Sequence, residues 1–290
     1  MLNSIVIPAI VTGALYTLVA LGLNVLVKVT GVVNFAHGDL LAWAPLAVLV
    51  ATTKLHLPLA AALIVAAAFV ILLALIEERI AIRPFLNSTV ALPWILSTLA
   101  VSLVLTQLST SPFSGNTVAF PYSFGQSALN IGPIQTNGVG VTVVATAIVL
   151  YVAVQVGWRR THLGKMLEAV SDDSAGAAAI GISARRASQI AAVVAAIVAF
   201  GTGIVSAPQL QVSPGLGLTL LFSGFLAAAM GGIGSFAGAL PGGILVGFIT
   251  QLISVYLSPT WINVFLFLAL LGIYLVRPHG LFGQPVVRAV

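Results

Sequence analysis

The fold class predicted by this sequence is an all-α polytopic membrane protein, and three observations predict it. Of 290 residues, 60% are hydrophobic and only 6% charged, with eleven Lys plus Arg and six Asp plus Glu. A soluble domain carries about 25% charge on its surface. No charged residue occurs from Pro84 to Trp158 or from Ala187 to Val276; runs of that length exceed any single helix and read as successive spans joined by tight turns. The apolar residues also come in blocks and do not alternate with period two, which argues against a transmembrane β-barrel. At roughly 20 residues per span the chain holds at most about a dozen spans, with no room for a large enzyme domain; its apolar blocks make residues 1–290 one transmembrane domain of eight or nine helices, some short or broken.

The first span, residues 5–27, precedes the first basic residue, Lys28, and so lacks the positive segment of a cleaved signal peptide. Residues 35–53 form a second apolar block with polar residues at its start and Pro45 inside it, which should kink or break the helix. Uninterrupted apolar runs at 57–76 and 90–108 give the next two. Residues 109–137, rich in Ser, Pro, Gly and Asn with Phe113, Phe120, Tyr122 and Phe124, form an extracytoplasmic loop, either a docking surface for an external protein or a packed cap. Further spans follow at 138–158, 188–207, 218–236, 237–256 and 260–276. The glycines of 218–236 leave open a re-entrant segment in place of a crossing.

Orientation follows from the basic residues. With the segment 159–186 in the cytoplasm and nine crossings, Lys28, Arg79, Arg83, Arg159, Arg160, Lys165, Arg185, Arg186, Arg277 and Arg288 share the inner side and only Lys54 lies opposite. This predicts an outer N-terminus and a cytoplasmic C-terminus in a plasma membrane. The formal net charge of +5 is then accounted for by inner-surface loops facing the lipid bilayer, and nucleic acid is not a partner. With no cysteine, and with His37, His56, His162 and His279 scattered, no metal site is expected.

Charge is used freely only in the cytoplasmic segment 159–186. Leu163, Met166, Leu167 and Val170 follow helical spacing on one face, with Lys165, Glu168 and Asp172 pointing elsewhere. Asp172, Asp173 or Ser174 caps a second short helix, and Gly181 stops it. Two short helices with apolar knobs suit a lever for a cytosolic protein; the alternative is a loop lying on the headgroups. Adjacent Asp172 and Asp173 diverge on a helix and do not make an acid–base pair.

Asn34, His37 and Asp39 stand between two apolar blocks. An ionisable group at membrane depth is costly and faces a cavity or a partner, and broken helices with polar residues at the break build substrate paths. The segment therefore reads as a translocation path or gate, or as the device that fixes the turn between the first two spans. Farther on, Gly231, Gly232, Gly234, Gly238 and Gly242 read as helix-packing residues, because small-xxx-small spacing lets backbones approach. The loose dinucleotide pattern within them is discounted, since no acid follows to hold a ribose.

Together, Asn34-Phe35-Ala36-His37-Gly38-Asp39, the stretch from Leu163-Gly164-Lys165 to Gly181-Ile182, Met230-Gly231-Gly232-Ile233-Gly234-Ser235 and Pro278-His279-Gly280-Leu281-Phe282-Gly283 resemble the permease subunits of branched-chain amino-acid ABC importers, in order along nearly the whole chain. The resemblance is nearer to the permease of the pair that carries Asn-Phe-Ala-His-Gly. It implies a second homologous permease, two cytosolic ATPase subunits and an extracytoplasmic substrate-binding protein as partners. It also implies a non-enzymatic role, with no cofactor on this chain and ATP and Mg on the ATPases. Similar permeases carry branched-chain amino acids or related small polar solutes. The resemblance maps ATPase coupling onto residues 159–186, where this chain has Glu168-Ala169-Val170, and Ser174 in place of the glycine of the general importer loop. A stand-alone channel or proton-coupled carrier using His37 and Asp39 as a relay is the alternative that composition allows.

Overall fold

The computed structural model describes residues 2–86, 91–121, 128–131 and 134–283. The described chain is nearly all helical: α1 (Ile7–Thr30), α2 (His37–Thr53), α3 (Leu59–Glu77), α4 (Ala91–Ser109), α5 (Gly138–Arg160), α6 (His162–Asp172), α7 (Ser174–Ala179), α8 (Ala184–Leu210), α9 (Leu216–Gly231), α10 (Phe236–Tyr256) and α11 (Ile262–Val276). A π-helical turn, Glu78–Ile82, and a 3-10 turn, Arg83–Phe85, extend α3. Seven of the described helices are long and apolar enough to cross a membrane. The other two expected spans are α2 and α9, of 17 and 16 residues, about 25 Å at 1.5 Å per residue.

Helix α1 is the centre of the bundle. It packs against α5, α8, α9 and α10, while α2, α3, α8 and α9 enclose a second core. The most apolar stretches of α1 and α8 are each 67% buried within the chain, against 6% for α11. Helix α3 buries only one stripe, Ala62, Ala66, Val70, Ala74 and Glu77, and turns Ile64, Leu72 and Ile76 outward. Small residues at spacing four permit close helix contact, and the outward face suits lipid.

One sequence expectation needs correction here. Pro45 does not break α2, which runs through it. Proline leaves the carbonyl four residues earlier, Leu41, without its helical donor. Gly203 of α8 lies directly against that carbonyl, so closely that a Cβ would collide with it; packing by neighbouring helices is what lets a membrane helix tolerate an internal proline. The outer loop contains two short strands among its described residues. Strands β1 (Ala128–Ile131) and β2 (Ile134–Asn137) pair antiparallel, with Ile131 opposite Ile134. Earlier in the loop, Val118 pairs with Val212 through two 2.9 Å backbone bonds, and Phe120 is buried in the second core. Val118 and Phe120 thereby pack with residues of α2 and the α8–α9 connection. Tyr122, Phe124 and Arg288 lie outside the described residues.

The ends of the helices that carry basic residues meet one another. Lys28 Nζ at the end of α1 sits 5.3 Å from the Trp158 ring centroid and 5.4 Å from that of Phe236, so α1, α5 and α10 converge there. The two aromatic rings pack edge to face at 4.8 Å. Lys54, by contrast, caps the far end of α2.

Candidate functional site

The polar residues before α2 return into the bundle. Gly31, with φ 69°, ends α1 in the left-handed region and donates its N–H to Val27, a conformation that favours glycine. The chain then turns back, and Asn34 Oδ1 accepts from Ala36 N at 2.9 Å. The ring of His37 lies directly against Gly22 of α1, where any side chain would overlap it. Gly38 meets Gly217 of α9 backbone to backbone. The first turn of α2 is therefore wedged between α1 and α9, well before the end of α1, and only glycine at positions 22, 38 and 217 permits that approach.

The structure divides the three polar residues between two settings. Asn34 and His37 line a small cavity with Glu77 of α3, closed by Leu26, Leu40, Ala74, Ile82 and Ala192. His37 is 1% exposed and Glu77 2%, and neither ring nitrogen nor carboxylate oxygen makes a well-formed hydrogen bond; the Asn34 side chain lies beside the Glu77 carboxyl. Buried polar atoms left in this way are expensive, about 1–3 kcal/mol each. Asp39 faces α4, where Ser102 Oγ and Thr106 Oγ1 donate to its two oxygens at 2.5 and 2.6 Å. Glu77 was not singled out in the sequence. Its signal is its place at the end of the stripe Ala62, Ala66, Val70, Ala74, which only the buried face of α3 makes plain.

The segment 159–186 folds as two short helices. Thr161 caps α6 by accepting from Gly164 N at 3.0 Å, and Asp173 caps α7 by accepting from Ala175 N at 3.0 Å. Of the three candidate caps for the second helix, the structure selects Asp173. Leu167 and Val170 enter the main core, Met166 packs at its edge, and Leu163 stays 56% exposed. Lys165, Glu168, Asp172 and Asp173 face outward. Gly181, with φ 86°, ends the α7 turn. Gly164 was not among the predicted contacts, yet a Cβ there would strike the carbonyls of Gly157 and Trp158, so the fold of α6 onto the end of α5 depends on it.

The glycine stretch serves two partners. Gly231 and Gly238 touch backbone to backbone, and Gly242 rests on the Ala227 carbonyl, which closes α9 against α10. Gly243 and Gly247 on another face of α10 meet Thr17, Gly13 and Ala9 of α1. Gly232 and Gly234 depart from the helix-packing expectation, because with φ 115° and 79° they form the turn between the helices. Asn24 of α1 holds that turn, donating to Ser235 O and accepting from Gly234 N, both at 2.9 Å. The Pro278–Gly283 motif completes the same knot: Leu281 N donates to Met230 O at 2.9 Å and Phe282 N to Gly231 O at 2.8 Å. Two motifs far apart in sequence thus form one structure beside Lys28.

Residues 5–275 match the family described as branched-chain amino acid transport system / permease component. The high-affinity branched-chain amino acid transport system permease protein LivH of Escherichia coli (strain K12) is 28% identical over 293 residues, covering 96% of this chain and 94% of that protein. LivH of Salmonella typhimurium is 27% identical with the same coverage. BraD of Pseudomonas aeruginosa, with the corresponding description, is 27% identical over 297 residues, again at 96% and 94%. Among solved structures, PsaBC from Streptococcus pneumoniae in complex with Fab aligns at 16% identity over 94% of this chain and 91% of that one, with a TM-score of 0.49. With a match that takes in the α2 entry, the two short helices and the α9–α10 turn, this multi-pass membrane chain belongs to the family of branched-chain amino acid transport system permease components.

Proposed function

We propose that the chain is a permease subunit of an ABC importer that carries branched-chain amino acids or a related small polar solute. The observation that carries this reading is the match over residues 5–275 to a permease family, joined by relatives of nearly equal length that are named for branched-chain amino acid transport. ATP, with Mg, is hydrolysed on two cytosolic ATPase subunits, a second homologous permease completes the pathway, and an extracytoplasmic binding protein delivers the solute. The chain itself is not an enzyme. The N-terminus lies outside and the C-terminus in the cytoplasm, an orientation supported by the gathering of basic residues at one end of the bundle.

In this reading, residues 159–186 form the coupling element. The outward residues Lys165, Glu168, Asp172 and Asp173 meet the ATPase, while Leu167 and Val170 anchor the element to α1, α5 and α8. Closure of the ATPases moves this anchored lever, and the smooth glycine contacts between α1, α9 and α10 let helices shift against one another. The start of α2, with Asn34, His37 and Asp39, helps gate the path, since it meets both α1 and α9.

Co-purification from the native host and reconstitution test the proposal. Two ATPases, a second permease and a binding protein should accompany the chain, and leucine uptake into vesicles should require ATP and the binding protein. Uptake by the chain alone, without ATP, would overturn it in favour of a channel or proton-coupled carrier.

A further inference from the structure

An open cleft of about 800 Å³ lies between the end of α3 and the start of α8, lined by Arg79, Arg83, Pro84, Leu86, Ser183 and Arg185. Of its three arginines, only Arg83 is paired with a carboxylate. Glu78, wholly buried, receives Arg83 through two contacts, Nη2 to Oε2 at 2.6 Å and Nε to Oε1 at 3.3 Å, and also accepts from Ser188 Oγ at 2.8 Å. This lock ties the α3 extension to α8 and fixes one wall of the cleft. Arg79 and Arg185 are exposed and make no hydrogen bond or ion pair among the described residues. The cleft therefore presents fixed positive charge in excess, and guanidinium groups match phosphate oxygens in a forked geometry.

Depth decides the class of anion. The arginines stand at the ends of two long apolar stretches, Leu59–Phe85 and Ala184–Leu210, the level at which headgroup phosphates sit. Ile80, next to Arg79 in the chain, and Ile180, between the lining residues Ala178 and Ser183, are 60% and 74% exposed, and Pro84 and Leu86 line the cleft. An apolar surround next to bare arginines fits an amphiphile better than a free ion. We propose that this cleft binds the phosphate of an anionic phospholipid headgroup. Because Ala178 and Ser183 form its opposite wall, an occupied cleft ties the α7–α8 corner to the lipid surface and steadies the segment proposed to couple to the ATPase.

The test is lipid titration of the purified full chain in neutral detergent, with phosphatidylglycerol retention read by native mass spectrometry. Phosphatidylcholine and inorganic phosphate serve as parallel arms. Wild type should retain phosphatidylglycerol in preference to phosphatidylcholine. One guanidinium near an anionic headgroup contributes about fivefold in affinity, so Arg79→Gln with Arg185→Gln should weaken retention about 25-fold, while Lys54→Gln leaves it unchanged. Equal retention of both lipids, or an unaltered double variant, would overturn the proposal. Full competition by inorganic phosphate would assign the cleft to a free anion instead. Loss of ATPase co-purification in the double variant, with lipid retention intact, would assign it to an acidic protein surface.

Discussion

Asp39 at the start of α2 accepts a hydrogen bond from Ser102 of α4 at 2.5 Å. With Thr106 on the other oxygen, this carboxylate is a clamp between two helices, and α4 makes few other connections to the central bundle.

Loss of the clamp should be measurable. Ser102→Ala should lower stability by about 0.5–2 kcal/mol, the range for interhelical hydrogen bonds in membranes. Asp39→Asn should preserve assembly and impair uptake. In a double-mutant cycle followed by thermal unfolding in detergent, Asp39→Asn and Ser102→Ala should couple; strict additivity would show that the contact contributes nothing.

Asn24 offers a sharper test of the α9–α10 turn. Asn24→Leu removes both backbone bonds to Gly234 and Ser235 and should destabilise the chain by about 1–3 kcal/mol. Limited proteolysis should then cut first near residues 231–235, whereas cleavage elsewhere would separate Asn24 from that turn.

Coupling should fail through Gly164 before it fails through Leu163. Gly164→Ala forces α6 away from the carbonyls of Gly157 and Trp158, so it should uncouple ATPase activity from uptake while the complex still assembles. Leu163→Ala, at an exposed position, should leave stability within about 0.5 kcal/mol of wild type. The pair Leu167→Arg with Asp173→Lys should abolish coupled uptake. Intact coupling in that variant would remove the lever role from residues 159–186.

Glu77 should show the opposite balance of stability and function. Its carboxylate is buried without a well-formed hydrogen bond, so Glu77→Met should raise stability by about 1–3 kcal/mol. An ionisable group at membrane depth is costly and marks function by default, so uptake should fall. A variant with lower stability and normal uptake would make Glu77 an ordinary packing residue.

Much of this molecule could be read along the chain because a bilayer restricts the choices. Few charges and long uncharged runs leave only buried or lipid-facing helices, so the spans from Ile7 to Val276 and the short amphipathic helix at Leu163–Val170 were legible from local pattern. Caps were legible as candidates: Asp172, Asp173 and Ser174 were all chemically able to start α7, and only the backbone path chose Asp173. What remained hidden were contacts between residues distant in sequence. Asn24 on the turn at Gly234, Gly203 over the Leu41 carbonyl and Glu77 beside Asn34 each depend on which faces of two helices meet. Composition and periodicity are one-dimensional, and they carry no record of helix rotation. Tertiary packing set that rotation, and with it decided that Asp39 clamps α4 while Asn34, His37 and Glu77 share a cavity.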